Sequence, residues 1–158
     1  MDNRYLTYDI GKNDTAKIQF VAEAYGHPFI EDLASNRYRE LAMDIETTGL
    51  AIGTDDFDIR MIQLGTEDYS WVFPNRKDNI EAILDAMLRS RTRFITHNGV
   101  FDWTALMVKY GMFELETSRV LDSRILSHHM DPRGLGDGPD ALGHSLESLI
   151  RQYISPSV

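Results

Sequence analysis

Asp44 and Glu46 stand one residue apart at the end of the apolar run Leu41-Ala42-Met43-Asp44-Ile45-Glu46. Alternate residues of a strand face the same way, about 7 Å apart, so the pair presents carboxylate oxygens to one side. Hard divalent cations prefer oxygen ligands. A third acid, Asp102, follows in His97-Asn98-Gly99-Val100-Phe101-Asp102, at the expected start of a helix. Three carboxylates in one site repel each other unless a cation neutralises them, and Mg²⁺ or Mn²⁺ suits such donors. Taken singly the acids carry little: Asp44 and Glu46 read equally as strand-end surface acids, and Asp102 as an acid favoured by a helix N-terminus. Their combination points to divalent-metal chemistry.

The elements that must hold these residues follow from hydrophobic spacing. Segments 4–10 and 17–21 read as two short strands around a turn at 11–14, and 29–39 reads as a weak helix. Residues 40–46 form a strand ended by Thr47-Thr48-Gly49. The polar stretch 53–58 is a turn. Residues 59–64 and 69–73 form a hairpin, closed through 65–68 and stopped by Pro74. Ile80, Ile83, Leu84 and Met87 share one helix face. A short strand at 93–96 precedes a helix from Phe101 to a C-cap at Gly111. Val120-Leu121 reads as a last strand, and Asp122 as the cap of a helix reaching Met130, or else as a residue supporting the metal ligands from behind. Residues 131–143 contain four Gly and two Pro, the composition of a mobile loop. Ser145 then caps a helix presenting Leu146, Leu149, Ile150 and Tyr153. The fold class is therefore α/β, a mixed sheet flanked by helices, with residues 1–39 leading into a domain at 40–158.

Composition narrows the partners. The chain has 158 residues, 42% of them hydrophobic, which suits one globular domain. A net charge of −9 argues against affinity from a broad basic surface, yet leaves room for nucleic acid held through metals in a local groove. The absence of cysteine removes disulfides and thiolate metal sites. No run is long enough to span a bilayer and no signal peptide opens the chain. A cytoplasmic protein without a membrane partner is expected.

Met43-Asp44-Ile45-Glu46-Thr47-Thr48-Gly49-Leu50 resembles the first motif, D-x-E, of the DEDD 3′→5′ exonucleases, and Asn98-Gly99-Val100-Phe101-Asp102 resembles their second, N-x-x-F-D. Residues 121–132 and 143–149 resemble the region that follows in proofreading domains of family A DNA polymerases. The resemblance covers about residues 40–155. It implies a ribonuclease H-like fold and two-metal hydrolysis of a single-stranded DNA 3′ end, in a bacterial or phage-infected cell. By that resemblance Asp44 bridges both metals, Glu46 binds the metal that carries water, and Asp102 holds the other. Thr47 and Leu50 match positions that touch the terminal nucleotide, Leu50 and Phe101 wedge against bases, and Asn98 positions backbone at its helix start. Plainer readings stand beside these: Thr47 as a strand-end cap, Leu50 and Phe101 as packing residues, and Asn98 as a turn residue.

The family's third motif, Tyr-x-x-x-Asp or His-x-x-x-x-Asp, supplies a fourth acid and a water-orienting group. Tyr5/Asp9, His27/Asp32 and His97/Asp102 have the spacing, but two precede the first motif and one overlaps the second. The expectation is a C-terminally truncated domain with one metal ligand missing and weak activity alone, its third motif supplied by a polymerase domain or a second polypeptide. Rival functions are an RNA 3′→5′ exonuclease, which differs in reading the 2′-hydroxyl, a non-catalytic module binding a single strand or a polymerase partner, and, more weakly, a ribonuclease H-type endonuclease.

Overall fold

A computed structural model describes residues 4–11, 14–113, 117–131 and 143–154. Seven strands form one sheet: β1 (Arg4–Gly11), β2 (Asp14–Phe20), β3 (Glu40–Thr47), β4 (Ile59–Gly65), β5 (Tyr69–Pro74), β6 (Arg93–Thr96) and β7 (Val120–Asp122). The helices are α1 (Pro28–Ala34), α2 (Lys77–Arg89), α3 (Val100–Tyr110), α4 (Ser123–Met130) and α5 (Leu146–Tyr153). The spatial order is β1-β2-β5-β4-β3-β6-β7. β3, β4 and β5 are joined antiparallel, whereas β6 and β7 are added parallel on the other side of β3. This is the mixed sheet with flanking helices that the hydrophobic spacing predicts, and it puts β3, the strand of the first motif, near the centre.

The core explains that placement. Along β3, Leu41, Met43 and Ile45 are buried while Ala42, Asp44 and Glu46 are exposed. The buried set packs with Ile59, Ile62, Leu64 and Phe73 of the neighbouring strands and with Phe29, Leu33, Ile83 and Met87 of α1 and α2. Burying each such side chain stabilises the fold by roughly 1.5–3 kcal/mol. Because strand faces alternate, fixing Met43 and Ile45 inward forces Asp44 and Glu46 outward. The aromatic ring of Phe29 stacks on Trp71 with centroids 4.2 Å apart, which ties α1 to β5.

Three details differ from the expectation. The first helix ends at Ala34 rather than Arg39, because Asn36 takes a left-handed φ of 65° and turns the chain out of the helix. Asparagine is among the few side chains that tolerate this conformation. The opening hairpin is part of the main sheet, since β2 runs parallel to β5 with Lys17 opposite Tyr69. Asp58, read as part of a solvated turn, is half-buried and paired with Lys109 of α3 at 3.2 Å. Nearby, the Tyr110 hydroxyl donates to Asn75 at 3.1 Å; burial foremost, then Asp58, pushes that phenol up to about 12. The far end of α3 is thus anchored to β4 and β5. The Gly/Pro-rich segment 132–142 lies outside the described residues. Among the described residues no helix is long and apolar enough to cross a membrane.

Candidate active site

The first motif takes its geometry from the β3–β4 ladder. Asp44 is paired with Gln63 across the strands, and Gln63 Nε2 approaches Asp44 Oδ2 at 3.5 Å. After Glu46 the register breaks: Glu46 faces Met61 but Thr47 faces Ile59, which leaves Arg60 as the extra residue of a bulge. Bulges bend a strand and re-aim its side chains, and they recur beside active sites. Asp44 lines a cleft of about 420 Å³ together with Ala42, Gln63, Ser70, Thr96 and His97.

The second motif takes its geometry from a turn. Asn98 is left-handed, with φ of 61°, and Gly99 follows with φ of −67°. A Cβ on Gly99 would lie 2.0 Å from Thr96 Oγ1 and 2.6 Å from Thr96 Cβ, so only glycine fits against β6. Asn98 Oδ1 accepts a hydrogen bond from Arg124 at 2.9 Å. The turn launches α3, and Asp102 on its first turn is buried, with 7% exposure. Asp102 Oδ1 accepts the N–H of Ile45 at 3.2 Å, the amide lying between Asp44 and Glu46. That bond brings the two motifs together across 57 residues of sequence.

The electrostatics agree. Burial, then the charge of Asp44, pushes the Asp102 carboxyl up to about 6; its hydrogen bonds to the backbone of Asp102 and Ile45 oppose this, and Asp122 adds a further upward push. Asp44 is itself raised by burial first and by Glu46 second, against the N–H of Ile45. Asp44 is therefore the member that interacts with both other acids. Among the described residues no three His, Cys, Asp or Glu side chains converge tightly enough to enclose a metal ion. The chemistry of the donors still suits one: all are oxygen, and like charge raises the carboxyls of Asp44, beside Glu46, and of Asp102, beside Asp44. A hard divalent cation relieves that repulsion.

The other predicted residues divide. Leu50 is 83% exposed and free to meet a ligand. Thr47 Oγ1 donates to the Gly49 carbonyl at 2.7 Å, so its hydroxyl serves the turn that ends β3. Phe101 is half-buried, edge-on to Phe57 with centroids 6.4 Å apart. Of the three spaced pairs considered as third motifs, His97/Asp102 belongs to the second motif itself and the other two lie apart from it. His27 caps α1, accepting from the Phe29 N–H, and Asp32 pairs with Arg37 at 3.0 Å. Tyr5 and Asp9 lie on β1, with three strands between it and β3. Sequence reasoning missed Gln63, whose only signal is its register opposite Asp44. Asp122 had two readings: it is the cap of α4, and the alternative of a residue behind the ligands named no partner, whereas the structure gives it the N–H groups of Asn98 and Gly99.

The fold and this site define a nuclease domain, and the chain belongs to the 3′–5′ exonuclease family of the family A DNA polymerase type, whose sequence model matches residues 22–158. Among curated proteins, it is 41% identical over 119 residues to the DNA polymerase of Mycobacterium phage L5 and 36% identical over 122 residues to that of Mycobacterium phage D29. Each match covers 73% of this chain and 19% of the polymerase, so the chain spans about a fifth of their length. Solved structures share the fold at low identity. The Nibbler EXO domain of Aedes aegypti superposes with a TM-score of 0.64 at 16% identity, covering 92% of this chain and 71% of that one. Mg²⁺-bound NrnC of Brucella melitensis gives 0.57 at 19%, covering 86% and 61%. RNase D of Escherichia coli, an exoribonuclease, gives 0.57 at 18%, covering 87% and 33%.

Proposed function

We propose that this domain removes nucleotides from the 3′ end of single-stranded DNA, in a proofreading role, with Asp44, Glu46 and Asp102 holding two divalent cations. The observation that carries the reading is the Ile45 amide bonded to a buried Asp102 whose carboxyl is lifted to about 6 beside Asp44. A buried acid whose like-charged neighbour lines a cleft, as Asp44 does, is a recognised mark of function. When bound, the cations polarise the scissile phosphate and lower the pKa of the attacking water. The protein's own part is to orient: Asp44 stands between its two partner acids, and α3 holds Asp102 against the first motif. Leu50, exposed beside the strand end, offers an apolar surface to the terminal base, which tolerates any sequence. Asn98 shapes the approach to α3, while Thr47 and Phe101 serve the walls of the site rather than the bases.

Kinship with mycobacteriophage DNA polymerases at 36–41% identity supports DNA as substrate and a phage-infected bacterial cell as the setting. Completion of the site by a polymerase domain or a second polypeptide belongs to this reading, since the related phage proteins are polymerases of which the match covers 19%. The test is nucleotide release from 5′-labelled single strands, in matched DNA and RNA forms, with Mn²⁺ or Mg²⁺. Stepwise shortening of DNA from its 3′ end, lost in Asp44→Ala, is expected. Faster decay of the RNA strand would reassign the substrate. Tight strand binding with no shortening at any metal concentration would make the domain a binding module.

A further inference from the structure

Asp122, at the end of β7, receives four backbone N–H groups from two separate parts of the chain. Two belong to α4, which it caps: Arg124 at 2.9 Å and Ile125 at 3.3 Å, both on Oδ1. The other two belong to the second-motif turn: Asn98 to Oδ1 at 3.1 Å and Gly99 to Oδ2 at 2.8 Å. A helix cap needs only the first pair. The second pair spends the remaining carboxylate oxygen on a turn 23–24 residues earlier in sequence.

That turn needs outside support. Asn98 adopts a left-handed conformation, which asparagine tolerates but which turns its amide out of any regular ladder. α3 also begins without a side-chain cap of its own, because Gly99 occupies the cap position. A left-handed residue followed by a right-handed one turns successive N–H groups to one side, the geometry of an anion-binding nest. Here the anion is Asp122. The path of contacts runs from its carboxylate through the amides of Asn98 and Gly99 into the first turn of α3, then from Asp102 to the Ile45 amide between Asp44 and Glu46.

We infer that Asp122 is a positioning residue of the exonuclease reaction: its carboxylate fixes the Asn98-Gly99 turn and so aims Asp102 at the first motif. This rests on the reading of Asp44, Glu46 and Asp102 as metal holders. Partners that orient metal ligands typically account for about 10–100-fold in metal affinity or activity.

The test compares Asp122→Asn, Asp122→Ser, Asp122→Glu and Asp102→Asn in the full chain. Asn and Ser each keep an oxygen able to cap α4 but lack the second carboxylate oxygen that receives Gly99. The readouts are Mn²⁺ affinity, from paramagnetic resonance of the free ion, and kcat and KM on a labelled single-stranded DNA. In Asp122→Asn and Asp122→Ser, Mn²⁺ affinity and kcat should fall about tenfold or more with KM little changed, and Asp122→Glu should restore part of the loss. Full Mn²⁺ affinity and kcat in Asp122→Asn, beside their loss in Asp102→Asn, would overturn the inference and leave the site reading intact. Retention of both in Asp102→Asn would remove the site reading, and this inference with it. Where Asp122→Ser loses helicity, the amide resonances of Asn98, Gly99 and Asp102 in Asp122→Asn decide: displaced signals support the inference and unmoved ones overturn it.

Discussion

Asp44 and Glu46 reach their places by a different route from Asp102. The first two stand on β3, between an antiparallel neighbour and a parallel one, and regular alternation with Met43 and Ile45 in the core aims them. Asp102 stands on a helix launched by one left-handed asparagine and one glycine wedged against Thr96. The strand half is over-determined, because many buried side chains would have to move to turn Asp44 inward. The turn half depends on a few polar contacts. Changes on the strand should therefore damage chemistry with little loss of fold, and changes around the turn should damage both.

The largest expected effect is on Asp44. Asp44→Ala should lower nucleotide release by about three orders of magnitude or more, as loss of a central catalytic group commonly does. It should also leave the melting temperature unchanged or higher, since a repelling carboxylate is gone. A clear drop in melting temperature would place Asp44 in the fold rather than the chemistry.

Asp102 should show the opposite balance with pH. Its folded carboxyl titrates near 6 against an ordinary 3.8. Between those values the folded state keeps a proton that the unfolded chain has released. Stability of the metal-free domain should fall as pH rises through this window, by about 3 kcal/mol in all. Urea midpoints from pH 4 to 8 measure it. Asp102→Asn should flatten the profile between about pH 4 and 6, and Mg²⁺ should do the same in the native protein. Asp122 runs the other way: burial lifts its carboxyl, but the N–H groups of Gly99, Asn98, Arg124 and Ile125 outweigh that and hold it below the ordinary range. Its contribution is present above the ordinary carboxylate value and is lost as pH falls beneath it.

Gly99→Ala comes next. The added Cβ meets Thr96 at 2.0 Å, an overlap that should cost about 1–3 kcal/mol, read as a lower denaturant midpoint, together with slower hydrolysis because α3 shifts. Leu50→Ala should be smallest in stability, within about 0.5 kcal/mol for so exposed a side chain, while raising KM for a DNA strand severalfold. An unchanged KM would take Leu50 out of the substrate contact.

The same contrast explains what could be read in the sequence. β3 was legible because its apolar run and its two acids fit one strand. α2 and α3 were legible from their apolar spacing and the Gly111 cap. The end of α1 was not, because the left-handed turn at Asn36 leaves little trace in local propensity. In the site, the acids themselves were legible as residue types at set spacing. The bond from Ile45 to Asp102, the upward shift it accompanies, and the double duty of Asp122 were not, since each joins segments more than twenty residues apart. Phe101 had two open readings because one aromatic residue near a helix start carries no period to show which way it faces.

The opening hairpin lies almost wholly ahead of residue 22, where the family match begins, yet β2 is laced to β5 through Lys17–Phe20 and Tyr69–Val72. Trimming the protein to the family boundary would strip that cover and bare the amides and carbonyls of β5 along a strand rich in aromatic and branched side chains. Such an uncovered border recruits strands from other molecules, so a shortened version should precipitate where the whole chain stays clear. In the whole chain the strands at residues 4–11 and 14–20 lie over that border like a hem, and β5 is an interior strand of the sheet.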